Sequence, residues 1–303
     1  KRKKILMLSD DIRTHSGVGN MAKEIILNSA HHFNWVNLGG AVKHPEAGKA
    51  FDVSPDANAH TGLTDTSVKV IASDGYGNPA MLRQIITQEK PDAIVHFTDP
   101  RYWTWLYQME NEIRQQCPLI FYTIWDDLPY PMWNREFYRS DDQLLCISKQ
   151  TKNLVENVLR DFPKPGRIKY VPHGINEEHF YPIDENHKEW DNLQTAKKQL
   201  FGDKEYKHVF FFNSRNIRRK MPSDLLAAYK LFKESLPEEE KNDVCLVLHT
   251  APVDGNGTDL YAVRDLLLGE DESVRFSTGK LATEGMNYLY NLADITVLPS
   301  SNE

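Results

Sequence analysis

Ala93-Ile94-Val95-His96-Phe97 and Leu119-Ile120-Phe121-Tyr122-Thr123-Ile124 are apolar runs that bracket a helical stretch, Trp103 to Gln115. Runs this short, without polar alternation, read as strands buried on both faces. Strand, helix, strand in that order makes a βαβ unit with parallel strands. The rhythm recurs toward the amino terminus. Pro79 to Gln88 reads as a helix, with Pro79 suited to its first turn. Val68-Lys69-Val70-Ile71, Phe33 to Leu38 and Ile5-Leu6-Met7-Leu8 read as strands, and Gly17 to His31 carries Val18, Met21, Ile25, Ile26 and Leu27 at helical spacing. Lys43 to Thr66, polar and dotted with Pro, Gly, Asn and Asp, reads as a long loop or poorly regular insertion. Toward the carboxyl terminus, Gln143 to Ile147 and Ile168 to Val171 read as strands, and Ser148 caps a helix reaching about Leu159.

Pro172 to Lys204 is polar and Pro-rich, and reads as a linker and the entry to a second domain. The rhythm then restarts with strands at Val209–Phe212, Val244–Leu248, Val274–Phe276 and Ile295–Leu298, and helices at Ser223–Ser235, Asp259–Leu268 and Thr283–Leu292. The expected fold class is therefore α/β, with two doubly wound domains of parallel strands: residues 1–172, a connecting stretch 173–204, and 205–303. Such domains bind ligands at the carboxyl ends of their strands, which places the expected site in the cleft between them. The final strand reads as buried and halted by Pro299. Its Ser300-Ser301-Asn302-Glu303 turn should lead into a further element, so the second domain is expected to be incomplete at its carboxyl end.

Bulk properties agree with this class. At about 150 residues per domain, a chain of 303 residues suggests two. Hydrophobic residues make up 40% and charged residues 26%, which argues against long disorder. A net charge of -7 gives no general support for nucleic-acid binding. Cys117, Cys146 and Cys245 are far apart, odd in number and without metal-ligand spacing; they read as reduced core residues of a cytoplasmic protein. The apolar run Ile5–Leu8 is too short for a signal peptide or a stable membrane span.

Several strand ends carry chemistry. Ser16-Gly17-Val18-Gly19-Asn20, between the first strand and helix, is either a backbone cradle for an anion or a tight turn. It is neither a P-loop nor a full dinucleotide fingerprint, since residue 22 is Ala. Asn213-Ser214-Arg215-Asn216-Ile217-Arg218-Arg219-Lys220 puts three arginines and a lysine at a strand's carboxyl end. It suits a diphosphate, which Arg grips bidentately and Lys as a point charge, or it is a solvated basic turn. His173, in a Pro-His-Gly turn, is either a ligand contact or a hydrogen-bonded turn residue. Asp99 and Asp126 follow strand ends and either meet sugar hydroxyls and protons or cap helices. Aromatic residues, Trp125 among them, crowd this third of the chain. No Asp-x-Asp and no metal-spaced cluster is present, so no metal is expected.

In sequence order these marks resemble the retaining GT-B glycosyltransferases of glycosyltransferase family four. Ser-Gly-Val-Gly (16–19) resembles that family's glycine loop. Val171-Pro172-His173-Gly174-Ile175 with Phe180 and Pro182 resembles its linker entry, Arg215 with Lys220 its diphosphate motif, and Asp294 to Glu303 the start of its donor-sugar turn. Trp125 stands before Asp126 where the family commonly has a His. The resemblance implies two Rossmann-like domains, an amino-terminal acceptor-side domain and a carboxyl-terminal donor domain. It implies sugar transfer from a nucleoside-diphosphate sugar to a hydroxyl acceptor, with the anomeric configuration retained. Arg215 and Lys220 would stabilise the leaving diphosphate. Gly17, Gly19, His173 and Glu303 would contact the donor, Trp125 and Asp99 would line the acceptor or sugar pocket, and Asp126 would serve the chemistry. The nucleotide sugar is then a co-substrate, with no cofactor. The acceptor stays open among glycan, lipid, small molecule and modified nucleic-acid base. Alternatives on the same architecture are a sugar-nucleotide epimerase, a phosphorylase, or a catalytically weak sugar-nucleotide-binding subunit.

Overall fold

Residues 1–269 and 271–301 are described by the computed structural model. They divide into two compact units, Lys1–His173 and Gly174–Glu303.

The first unit is built on strands β1 (Lys3–Asp10), β2 (Phe33–Gly40), β3 (Ala50–Asp52), β4 (Val68–Ala72), β5 (Ala93–Phe97), β6 (Leu119–Thr123), β7 (Gln143–Cys146) and β8 (Ile168–Tyr170). Its helices are α1 (Gly17–Ser29), α2 (Ser54–Thr61), α3 (Pro79–Glu89), α4 (Thr104–Gln108), α5 (Glu110–Arg114), α6 (Arg135–Ser140) and α7 (Lys149–Val158). The sheet order is β3-β4-β2-β1-β5-β6-β7-β8. Neighbours are parallel except β3, which runs antiparallel to β4. The chain works outward in one direction from β1 and returns to its other side at β5, so the strand order reverses between those two strands.

Alternation along β1 sends its side chains into two layers. Leu6 and Leu8 join Leu82, Ile85 and Ile86 of α3 and Leu106 of α4, whereas Ile5 and Met7 join Ala22 and Ile26 of α1. Helices therefore cover both faces, as continuous apolar strands require. Ser148 and Asn78 cap α7 and α3 by accepting the Thr151 and Met81 amides.

Three sequence expectations change here. The polar stretch Lys43–Thr66 holds β3 and α2 rather than an irregular loop. Its pattern is weak because α2 buries only Ala57 and β3 is an edge strand that needs no apolar alternation. The helix expected from Trp103 to Gln115 breaks at Met109 into α4 and α5, after a 3-10 turn over Pro100–Trp103. The stretch 173–204, read as linker and domain entry, contains a helix that its polar pattern did not announce, α8 (Trp190–Phe201).

In the second unit α8 precedes β9 (His208–Asn213), α9 (Pro222–Ser235), β10 (Val244–His249), α10 (Leu260–Leu268), β11 (Val274–Ser277), α11 (Thr283–Leu292) and β12 (Ile295–Thr296). The parallel sheet has the order β11-β10-β9-β12, reversing between β9 and β12. Phe201 of α8 and Leu289 of α11 bury Val209, Phe211, Cys245 and Val247 on one face. Leu225, Leu226 and Tyr229 of α9 and Leu260 of α10 cover Phe212, Leu246 and Leu248 on the other. The strand expected to be buried, β12, is exposed, with Ile295 at 49%. Among the described residues it is an edge strand, paired with β9 alone. All three cysteines are free and buried.

Candidate functional site

In the second unit the carboxyl end of β9 leads into the basic turn. Arg215 Nε and Nη2 donate to the Asp254 carboxylate, the Nε bond being 2.9 Å. Arg215 remains 63% exposed. This pairing holds the Asp254 carboxyl below its usual range. Among the described residues Arg215 Nη1 makes no hydrogen bond. Asn216, 1% exposed, fixes the segment that carries Asp254. Its Nδ2 lies within hydrogen-bond distance of the carbonyls of Ala251 (3.2 Å), Pro252 (3.0 Å) and Thr258 (2.6 Å), and its Oδ1 accepts the Thr258 amide. Arg218–Lys220 form a 3-10 turn with Lys220 buried. Met221 follows in the left-handed region at φ 51, where a side chain is unfavoured, and sets the start of α9. The Ser301 amide donates to the Arg219 carbonyl at 2.9 Å, which brings the turn after β12 onto the basic turn. Arg215, Arg218, Arg219, Asp224, Asn256 and Ser301 border an open concavity of about 700 Å³. The expected residues Arg215 and Lys220 thus lie on one turn where the strand order reverses, the usual ligand position of such sheets. Glu303 lies outside the described residues.

In the first unit the carboxyl ends of β1, β5, β6 and β8 hold the other expected residues. Ser16 caps α1 by accepting the Gly19 amide at 2.9 Å, and its hydroxyl donates to Asp10 at 2.6 Å. Burial pushes the Asp10 carboxyl up, opposed by that bond. The two glycines differ. A Cβ on Gly17 would meet nothing within 4 Å, whereas one on Gly19 would strike Thr14 Oγ1 and come within 2.8 Å of the Asp11 carbonyl. Gly19→Ala is expected to cost about 1–3 kcal/mol by overpacking. Gly17→Ala should stay within about 0.5 kcal/mol. Urea denaturation of both variants distinguishes a packed turn from a generally soft one.

Asp99 caps the 3-10 turn and holds Arg101 in a fork, and Arg101 lies 5.8 Å over the Trp125 ring. The Trp125 indole N–H donates to the Asp127 carbonyl at 2.9 Å, so its ring rather than its N–H faces any ligand. The Asp126 carbonyl accepts from Gln150, and the Trp125 carbonyl from Thr151. His173 sits edge-on to Phe97 and Tyr122, its buried Nε2 lacking a partner among the described residues. Burial lowers its pKa, favouring the neutral ring. The structure thus joins Asp99 to Trp125 through Arg101, and sets Asp126 beside Trp125.

Asp10 and Asp11, both nearly buried, were passed over in the sequence. Two carboxylates directly after the first strand were the available signal. Asn37, buried in β2, is a supporting residue also missed; it accepts the Ile12 amide and donates to Ser9 and the Met7 carbonyl, shaping the turn after β1. His96 is a core residue. It is fully buried against Trp103 and Phe121, and its Nδ1 lies 2.8 Å from the Tyr107 hydroxyl. Burial pushes its pKa down to about 3. Unfolded His96 takes a proton near pH 6.5, so its contribution to stability is full above that pH and falls as pH drops toward 3. Ring nitrogen NMR at pH 5 should find His96 neutral; a protonated ring there would contradict this placement.

Among the described residues no group of three or more His, Cys, Asp or Glu side chains could hold a metal ion. No helix among them is long and apolar enough to cross a membrane.

No family model matches this chain, and no curated protein does. Solved structures do. An α,α-trehalose-phosphate synthase (UDP-forming) from Burkholderia vietnamiensis matches with TM-score 0.62 at 12% identity, over 99% of this chain and 78% of its own. A trehalose-6-phosphate protein from E. coli bound with UDP-2-fluoro glucose matches at 0.64 and 11%, over 98% and 78%. A putative UDP-N-acetylglucosamine 2-epimerase from Listeria monocytogenes matches at 0.52 and 15%, over 98% and 73%. At these identities the likeness speaks for architecture alone: the chain has the GT-B fold, with two Rossmann-like domains of parallel strands.

Proposed function

We propose that this chain transfers a glycosyl group from a nucleoside-diphosphate sugar to an acceptor hydroxyl, with retention of anomeric configuration, in the manner of glycosyltransferase family four. One observation carries the reading: the Arg215–Lys220 turn stands where the strand order reverses, with the turn after β12 hydrogen-bonded to it. Solved neighbours that include a UDP-forming synthase and a UDP-2-fluoro glucose complex support it.

In this reading Arg215 keeps two nitrogens on Asp254 and turns Nη1 toward the diphosphate, so Asp254 is a positioning residue. Lys220 adds a point charge from the same turn. The bond from the anomeric carbon to the diphosphate oxygen breaks, and the acceptor oxygen bonds to that carbon on the same face. The acceptor proton passes to a donor phosphate oxygen, so no protein base is required. Charge develops on the leaving diphosphate, and fixed cations stabilise it without reorganising. Gly17 and Gly19 offer backbone to the donor, His173 and Glu303 hold it, and Trp125, Asp99 and Asp126 serve the acceptor side.

Incubation with UDP-, GDP- and ADP-sugars and a hydroxyl acceptor panel tests this, with the product anomer read by NMR coupling. Transfer with an axial donor bond giving an axial product is expected, and it should survive EDTA because positive side chains take the diphosphate charge. Inverted product, or loss in EDTA restored by Mn²⁺, contradicts the mechanism. Epimerised nucleotide sugar without any transfer would establish the epimerase alternative instead.

A further inference from the structure

We propose that Asn256, on the rim of the concavity in the second unit, is a site of spontaneous deamidation whose product places a negative charge beside Asp254, the partner of Arg215. The modification stands on the loop alone. Its consequence, a weakened grip on a nucleoside diphosphate, rests on the transferase reading.

Asn256-Gly257 is the one Asn-Gly step in the chain. Asn256 is exposed and borders the concavity together with Arg215, Arg218 and Arg219. A glycine after asparagine has no Cβ to shield its backbone nitrogen, which can then reach the side-chain amide carbon. Packing holds this labile step in place, because a Cβ at residue 257 would overlap the backbone of Asn216. Asn256 also lies directly on the partner of Arg215. Its backbone amide donates to Asp254 Oδ1 at 2.9 Å. The Asp254 carboxyl is held below its usual range first by Arg215 and then by the Asn256 amide and side chain.

The Gly257 nitrogen bonds to Asn256 Cγ, and the Cγ–Nδ2 bond breaks. Ammonia leaves with the proton that the Gly257 nitrogen gives up. Water then opens the cyclic imide at either carbonyl, leaving aspartate or isoaspartate at 256; no oxidant or reductant enters. In the folded chain the Gly257 amide donates to the Asp254 carbonyl at 3.0 Å, so the reaction waits for this turn to open. Gly255 and Asn256 at its tip are exposed. Either product sets a carboxylate against Asp254. The like charge disfavours ionised Asp254 and so loosens its fork on Arg215. The same charge opposes a diphosphate in the concavity. Isoaspartate also routes the chain through its Cβ, which lengthens the turn that the Gly257 amide closes.

The test ages the full chain in warm, mildly alkaline buffer. Peptide mapping by mass spectrometry, with isoaspartyl methyltransferase labelling, follows residue 256. Aspartate and isoaspartate are expected there ahead of the other asparagines. A folded chain that stays unmodified overturns the proposal, and reaction of the urea-unfolded chain under the same conditions would then show that the closed turn protects the step. Binding of UDP, GDP and ADP is measured by calorimetry on fresh and aged protein. Asn256→Asp should bind the preferred nucleotide roughly tenfold more weakly than the fresh chain. Ageing should weaken the natural chain and leave Asn256→Gln at its own starting affinity, because the longer side chain cyclises far more slowly. Equal affinity in the fresh, aged and Asn256→Asp chains overturns the consequence for the donor, as does equal weakening of Asn256→Gln on ageing. Binding of none of the three nucleotides by the fresh chain defeats the transferase reading and leaves the modification, which the peptide map decides.

Discussion

Arg215→Ala and Lys220→Ala are each expected to cut turnover of the nucleoside-diphosphate sugar by roughly 10- to 150-fold. Each removes one charge-assisted contact to the diphosphate, about 1.5–3 kcal/mol. The two variants should differ in stability. Arg215 is exposed, so its loss leaves Asp254 solvated and the fold intact. Lys220 is buried in the 3-10 turn, so its truncation also removes buried packing. Thermal melts beside kinetics separate the two causes. Arg218→Ala and Arg219→Ala should lose less. Equal loss in all four variants would mean that the turn acts as a diffuse basic field rather than as a specific grip. Asp254→Asn should fall between them, because it frees Arg215 without removing it.

Asn216→Ala should unfold the loop behind that grip. The amide bridges three carbonyls and the Thr258 amide across 35 to 42 residues of sequence. Each buried group left unpaired costs about 1–3 kcal/mol. With solvent reaching part of the opened loop, a net loss of about 2–4 kcal/mol is expected. Asn216→Asp should fail similarly, since a carboxylate cannot donate to those carbonyls. Gly257 gives the same loop a second constraint, because a Cβ there would overlap the backbone of Asn216. Urea melts measure the stability, and donor turnover in the fraction still folded measures how far Asp254 and Arg215 depend on this clamp. A variant with wild-type stability would mean that water replaces the amide.

The strands were legible because their signal is local. A run such as Ile5–Leu8 states within four residues that both faces are covered. The caps Ser148 and Asn78 act on amides three positions away, so their helices start where the sequence says. Elements whose burial is slight escaped: β3 and α2 carry almost no apolar pattern, and α8 lies in a polar, proline-bearing stretch. The opposite error came at β12, where an apolar run is exposed because a sheet neighbour on one side alone is present among the described residues.

By itself the sequence determined the parallel α/β class, the two-domain rhythm and the clustering of Arg215, Arg218, Arg219 and Lys220 on one turn. Tertiary structure decided which groups those residues meet. Asp254, 39 positions from Arg215, became its partner because β9 and β10 are parallel neighbours whose carboxyl-end loops emerge side by side. Trp125 lost its indole N–H to its own loop while Arg101, arriving from the adjacent strand end, covered part of its ring. Among the aromatic residues crowding that third of the chain, Trp133 and Tyr102 are exposed, since each packs one edge or face on a neighbour and leaves the other bare. The physical reason is range. Apolar periodicity is written over a few residues, whereas a polar partner or an uncovered ring depends on which distant strand end the sheet order brings alongside.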